Sequence, residues 1–70
     1  MNLKQLRLKR GLTQEQAVKQ IGYPGLDQGK LSSIERGLFP ADGHLAAAIA
    51  RFYGVSIERA WPEVFATKQS

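Results

Sequence analysis

Apolar side chains recur along this chain at helical spacing in short runs, and capping residues and glycines separate the runs. Leu3 and Leu6, continued by Arg10 or Leu12, share one face, which predicts a first helix over about 2–10 with Leu8 off that face. Gly11 ends it after two basic residues suited to a helix C-terminus. Thr13-Gln-Glu-Gln16 is a capping box: the Thr13 hydroxyl accepts from the Gln16 N–H, and the Gln16 side chain reaches back to the Thr13 N–H. The second helix then presents Ala17, Val18 and Ile21 inward and stops at Gly22. Tyr23-Pro24-Gly25 is a turn by composition, and Leu26 points inward as a staple. Asp27 caps a third helix over about 28–36, whose Leu31 and Ile34 face the core, and Gly37 closes it.

The remaining pattern adds two helices. Either Leu38 or Phe39 tucks under the bundle ahead of Pro40. Asp42 caps a fourth helix over about 43–53 with Leu45, Ala48, Ile49 and Phe52 as its buried stripe, and Gly54 ends it. Ser56 caps a fifth helix over about 57–61, followed by a short turn through about Phe65. Pro62 breaks the helical pattern there unless it restarts a turn as its first residue. Five helices with tight loops and no strand signal make a single all-α domain over residues 1–66, with 67–70 a short polar tail.

Charge sharpens this picture. The formal net charge is +4, and the excess is confined to one half of the chain. Residues 1–40 hold seven basic side chains (Lys4, Arg7, Lys9, Arg10, Lys19, Lys30, Arg36) against three acidic ones (Glu15, Asp27, Glu35), while residues 41–70 balance at three and three. The excess thus surrounds helices two and three, as expected of a nucleic-acid binder or of a solvated basic surface. Seventy residues bury a marginal core, which favours a tight helical bundle, with dimerisation as an additional source of stability.

Several chemistries are set aside on the same grounds. The chain has no cysteine, hence no disulfide and no Cys/His metal site, and His44 is its only histidine. Ser32-Ser33 has no histidine partner, and the glycines punctuate helices without forming a phosphate-cradling loop. No catalytic constellation, cofactor or small-molecule ligand is therefore expected. No apolar run reaches the roughly 18 residues of a membrane span, and the basic N-terminus lacks the apolar stretch of a signal peptide. A cytoplasmic protein of a bacterial or phage-infected cell, with no membrane partner, is the expectation. Trp61, Val64 and Phe65 exceed what so small a core requires; they either close the bundle or form a dimer interface.

Four short motifs in order carry a family resemblance: LKQLR at Leu3–Arg7, GLTQ at Gly11–Gln14, LSSIERG at Leu31–Gly37 and GVS at Gly54–Ser56. Together they resemble the lambda-repressor-like (Cro-like, xenobiotic-response-element-type) helix-turn-helix family over residues 3–61, with the helix-turn-helix at about 14–36. The resemblance implies a five-helix domain that binds a double-stranded, pseudo-palindromic DNA operator, commonly as a homodimer. It further implies a small repressor of a phage, plasmid or other mobile element; the alternative is an antitoxin that binds a toxin and its own promoter. Arg7 and Glu35 match a pair that in relatives forms a partly buried ion pair; otherwise they are two exposed charges of little energetic weight. The chain departs from the family in a turn about three residues longer near Tyr23-Pro24-Gly25, and in an exchange of volume between Ala17 and Val18.

A helix fits the major groove, and the N-terminal residues of the second helix of such a motif reach base edges. Here these are Gln28, Gly29 and Lys30, with Ser32 and Ser33 one turn on. Gln28 is suited to adenine N6 and N7, and Lys30 to guanine or a phosphate. Gly29 admits close approach or is a tolerated accident. Gln14 resembles the family glutamine that contacts phosphate and braces the glutamine at the start of the third helix. Arg10, Thr13 and Arg36 are further phosphate candidates, contacts that orient the protein without reading sequence.

Overall fold

Five helices begin where a polar side chain accepts from backbone N–H groups that the first turn leaves without partners. In the computed structural model, which describes residues 2–65 without the Phe65 side chain, these caps are Asn2, Thr13, Asp27, Asp42 and Ser56. They open α1 (Leu3–Lys9), α2 (Gln14–Ile21), α3 (Gln28–Glu35), α4 (Gly43–Tyr53) and α5 (Ile57–Ala60), and α6 (Pro62–Phe65) follows. Among the described residues every regular element is a helix. The expected tail at 67–70 lies outside them.

The Thr13–Gln16 box forms as the spacing predicts, with 3.1 Å from the Gln16 N–H to Thr13 Oγ1 and 2.9 Å from the Thr13 N–H to Gln16 Oε1. Asn2 and Gln5 form a second reciprocal box at the head of α1, at 2.9 and 2.8 Å. At the other ends, Gly22 and Gly54 adopt φ of 67° and 71°, the left-handed conformation that lets the chain leave a helix without a Cβ clash.

The end of the chain differs from expectation. The sequence predicts five helices with a turn after residue 61; α5 instead stops at Ala60, and a four-residue sixth helix starts at Pro62. Proline is suited to a first helical position because the N–H it lacks would have no intrahelical acceptor there. The Trp61 N–H closes α5 onto the Ile57 carbonyl at 3.0 Å, so the break costs no backbone bond at Trp61.

The core lies where α2, α3 and α4 meet, with Leu31, Ile34 and Ile49 fully buried. Ala17 has no exposed surface, whereas Val18 and Ile21 are half-buried, so α2 approaches its neighbours over its smallest residue. Leu26 is buried as expected of a staple. The stripe of α4 is rotated from the expected one: Leu45, Ala46, Ile49, Ala50 and Tyr53 are buried, while Ala48 and Phe52 are half-buried. The small Ala46 and Ala50 allow close packing on the inner side, and Phe52 stays at the rim, where it meets the Arg10 guanidinium.

Of the two roles open to Trp61, closing the bundle or meeting a second copy, its burial matches the first: it is only 2% exposed and meets the Phe39 ring edge-on at 5.2 Å. The connection between α3 and α4 thus tucks in Phe39 and leaves Leu38 53% exposed. This edge-on aromatic contact packs the α3–α4 connection against the residue that links α5 to α6. Val64 does remain exposed on α6.

Candidate nucleic-acid interface

The local chemistry of α3 sets its orientation. The Asp27 carboxylate accepts from the Lys30 N–H at 2.7 Å, satisfying a first-turn donor. Leu31 and Ile34 then anchor one face in the core. At about 100° per residue this turns Gln28, Gly29, Ser32, Ser33 and Arg36 away from the anchor. Gln28, Gly29, Lys30 and Arg36 are exposed, and the two serines are half-buried. Lys30 leans towards the α3–α4 connection, where it lines a shallow apolar groove of about 300 Å³ with Leu38, Phe39 and Pro40. Gly29 is not demanded by the domain's own packing: a Cβ there would meet only Asp27 Oδ1, at 3.5 Å.

Arg7 and Glu35 form the ion pair that the family resemblance implies. Arg7 Nε donates to Glu35 Oε2 at 2.6 Å and Nη2 to Oε1 at 3.1 Å, with side chains only 8% and 4% exposed. The remaining guanidinium nitrogen, Nη1, donates to the Leu12 carbonyl at 2.8 Å. One arginine therefore ties α1 and the α1–α2 connection to the end of α3. The hydrogen bond to Glu35 pushes Arg7 above its ordinary pKa against the opposing effect of burial.

From this pair a chain of amides runs outward. Gln14 Nε2, at the first position of α2, donates to Glu35 Oε1 at 3.2 Å. Gln28 Nε2, at the first position of α3, donates to Gln14 Oε1 at 3.4 Å. The expected brace between the two glutamines is thus present in the free domain, and Thr13 caps the helix that carries Gln14.

Arg10 is positioned differently from the other phosphate candidates. Its Nη1 donates to the Phe52 carbonyl at 2.8 Å, and its guanidinium lies 5.2 Å from the Phe52 ring centroid and 5.4 Å from that of Tyr53. The carbonyl end of α4 and two aromatic faces attract this cation to the scaffold. Nothing local in the sequence marks Arg10 as a partner of a helix forty residues on.

A further contact was not legible in sequence. Tyr23 Oη donates to Asp42 Oδ2 at 2.6 Å, while Asp42 Oδ1 accepts from the His44 N–H at 2.8 Å. The long turn between α2 and α3 is thereby tied to the head of α4. The bond from Tyr23, with that from the His44 N–H, holds Asp42 below its ordinary carboxylate value, and Asp42 holds the Tyr23 phenol above its own. Among the described residues no group of His, Asp and Glu side chains could hold a metal, and no helix is long and apolar enough to cross a membrane.

Two eight-residue helices joined by the turn over residues 22–27, the second anchored by an apolar face beneath exposed polar side chains, define a helix-turn-helix DNA-binding domain. The chain belongs to the helix-turn-helix domain family, whose model matches residues 1–61. Double-stranded DNA is the partner that membership implies. No curated protein and no solved structure matches the chain at a significant level.

Proposed function

We propose that the protein is a sequence-specific transcriptional regulator that reads the major groove with α3 and represses by occupying an operator. The observation that carries this reading is Gln28: it is exposed at the first position of α3, and Gln14 of α2 holds its amide in place. Gly29 beside it admits a close approach of backbone to DNA, and Lys30, Ser32 and Ser33 supply further polar groups for base edges. Thr13, Gln14 and Arg36 supply the phosphate contacts; Arg10, engaged with α4, supports the scaffold. Two copies on a pseudo-palindromic operator would place two α3 helices about 34 Å apart. Exposed Val64 on α6 is the apolar group of the described residues that favours a contact between copies at that end.

Selection of bound sites from random duplex DNA tests the reading. Wild-type protein is expected to select a defined motif. Gln28→Ala is expected to lose roughly 1–3 kcal/mol of specific binding and to blur one base position. Identical motifs from both proteins would refute the base-reading role.

A further inference from the structure

The leading end of α3 carries a carboxylate. Asp27 stands one residue ahead of Gln28, is exposed, and caps the helix with a single oxygen: Oδ1 accepts from the Lys30 N–H at 2.7 Å. Among the described residues its side chain makes no other hydrogen bond and no ion pair; Lys19 shares a shallow recess with it but does not pair with it. We propose that Asp27 is a specificity-determining residue: its carboxylate accepts from the N4 amino group of a cytosine in the major groove, beside the base that Gln28 meets. This inference rests on the proposal that α3 enters that groove.

Two observations set the carboxylate on the reading face. It belongs to the N-terminal end of α3, the part of such a helix that reaches base edges. Gly29 occupies the middle of the face opposite Leu31 and Ile34, and a Cβ there would lie 3.5 Å from Asp27 Oδ1. The carboxylate therefore borders the outward face, and the missing side chain at Gly29 leaves it uncovered. Any larger residue at that position would begin in contact with it.

Capping does not call for this charge, since asparagine and serine cap a helix about as well as aspartate. The α3 dipole favours an anion at this end of the free domain. On a face that approaches phosphates, however, an anion opposes binding to every sequence alike. Of the three acidic residues among the first forty, Glu35 is buried against Arg7 and Glu15 lies in α2, so Asp27 alone stands at the tip of the reading helix.

One kind of base edge offsets that repulsion. A carboxylate offers acceptors only, and the major-groove donors it can meet are cytosine N4 and adenine N6. Cytosine N4 has an acceptor on one side, the O6 of its paired guanine. Adenine N6 lies between its own N7 and the O4 of thymine, so an anion there faces two repelling neighbours. Guanine and thymine present acceptors themselves and repel it outright. The charge thus weakens binding in general and restores it at cytosine.

The experiment uses the full chain. Site selection from random duplex DNA compares wild type, Asp27→Asn, Asp27→Ser and Gln28→Ala, and titration with a duplex lacking the selected motif measures nonspecific binding. Wild type is expected to prefer cytosine over guanine or thymine by about tenfold at one position, next to the one that Gln28→Ala blurs. Asp27→Asn keeps the cap, loses the charge and gains a donor, so this preference should fall towards parity while nonspecific binding tightens. A residue that only caps would change neither. Replacing the amino group of that cytosine by hydrogen, with 2-pyrimidinone as the base, should weaken wild type about tenfold. The same duplex should weaken Asp27→Ser, whose hydroxyl caps but is too short to reach the base, by about twofold at most. Should Asp27→Asn fail to fold, Asp27→Ser decides both comparisons. An unchanged cytosine preference in the folded variants, or equal losses of wild type and Asp27→Ser on 2-pyrimidinone, would overturn the assignment, even with tighter nonspecific binding. A motif left intact by Gln28→Ala would remove Gln28 as a reader without touching this result. If wild type selects no motif, groove reading by α3 fails and this inference falls with it.

Discussion

Replacing Arg7 by leucine strands Glu35 as a carboxylate only 4% exposed, with both of its Arg7 bonds gone and the Leu12 carbonyl without its side-chain donor. Removing one partner of a buried pair costs about 3–5 kcal/mol, because the remaining charge is neither solvated nor compensated. Natural domains hold roughly 0.05–0.15 kcal/mol per residue, so a chain of this length has about 4–10 kcal/mol in total. Arg7→Leu should therefore remove about a third of the stability or more. Arg7→Lys should also lose stability, because an ammonium cannot present the two parallel donors that match both carboxylate oxygens. The double change Arg7→Met with Glu35→Leu removes both charges and should be near neutral or stabilising by about 1–4 kcal/mol. Urea unfolding followed by far-ultraviolet circular dichroism measures all three, with a slope of about 1 kcal/mol per molar for so small a domain. A loss below about 1 kcal/mol in Arg7→Leu, the value of an exposed pair, would refute the assignment of a buried structural pair.

Three other outcomes follow from the geometry. Gly29→Ala should raise the stability of the free protein by roughly 0.5–1 kcal/mol, since the site has space for a methyl group, and weaken DNA binding; tighter binding in a titration would contradict the close approach. Arg36→Ala should weaken binding to all sequences alike and flatten the slope of log K against log salt by about 1, and an unaltered slope would remove Arg36 from the phosphate contacts. Tyr23→Phe should reduce the pH dependence of the melting temperature at both extremes. Asp42 is depressed below 3.8, so its contribution is present above that value and is lost as pH falls through the folded value; Tyr23 is raised above 10.0, so its contribution is present below that value and is lost as pH rises through the folded one. Superimposable profiles for the two proteins would show that the Tyr23–Asp42 bond does not form in solution.

The parts of the site that were legible are those set by contacts within a few residues. The Thr13–Gln16 box, the Asp27 cap and the Leu31–Ile34 anchor together place α3 and its outward face, because capping and helical periodicity act over three or four positions. Arg7–Glu35 spans 28 positions, and only resemblance to a family suggested it. Arg10 shows the limit of local reasoning: its position after a basic helix end matches a phosphate contact equally well, and only the proximity of the α4 terminus directs it elsewhere. Phe52 and Ala48 fit the helical period of α4 but are not its buried face, since two adjacent stripes satisfy the same spacing and the neighbouring helices select one.

By itself the sequence determined that the chain is helical, where four of its helices begin, which residues anchor α3, and that the basic excess surrounds the helix-turn-helix. The tertiary structure alone decided that Pro62 opens a sixth helix, that Trp61 fills the core against Phe39, and that Tyr23 ties the long turn to α4. It also joined Arg7, Glu35, Gln14 and Gln28 into one hydrogen-bonded chain. The division has one physical cause. Caps and periodicity are energies between near neighbours along the chain, whereas ion pairs, aromatic packing and amide direction depend on which distant surfaces the bundle brings within about 4 Å.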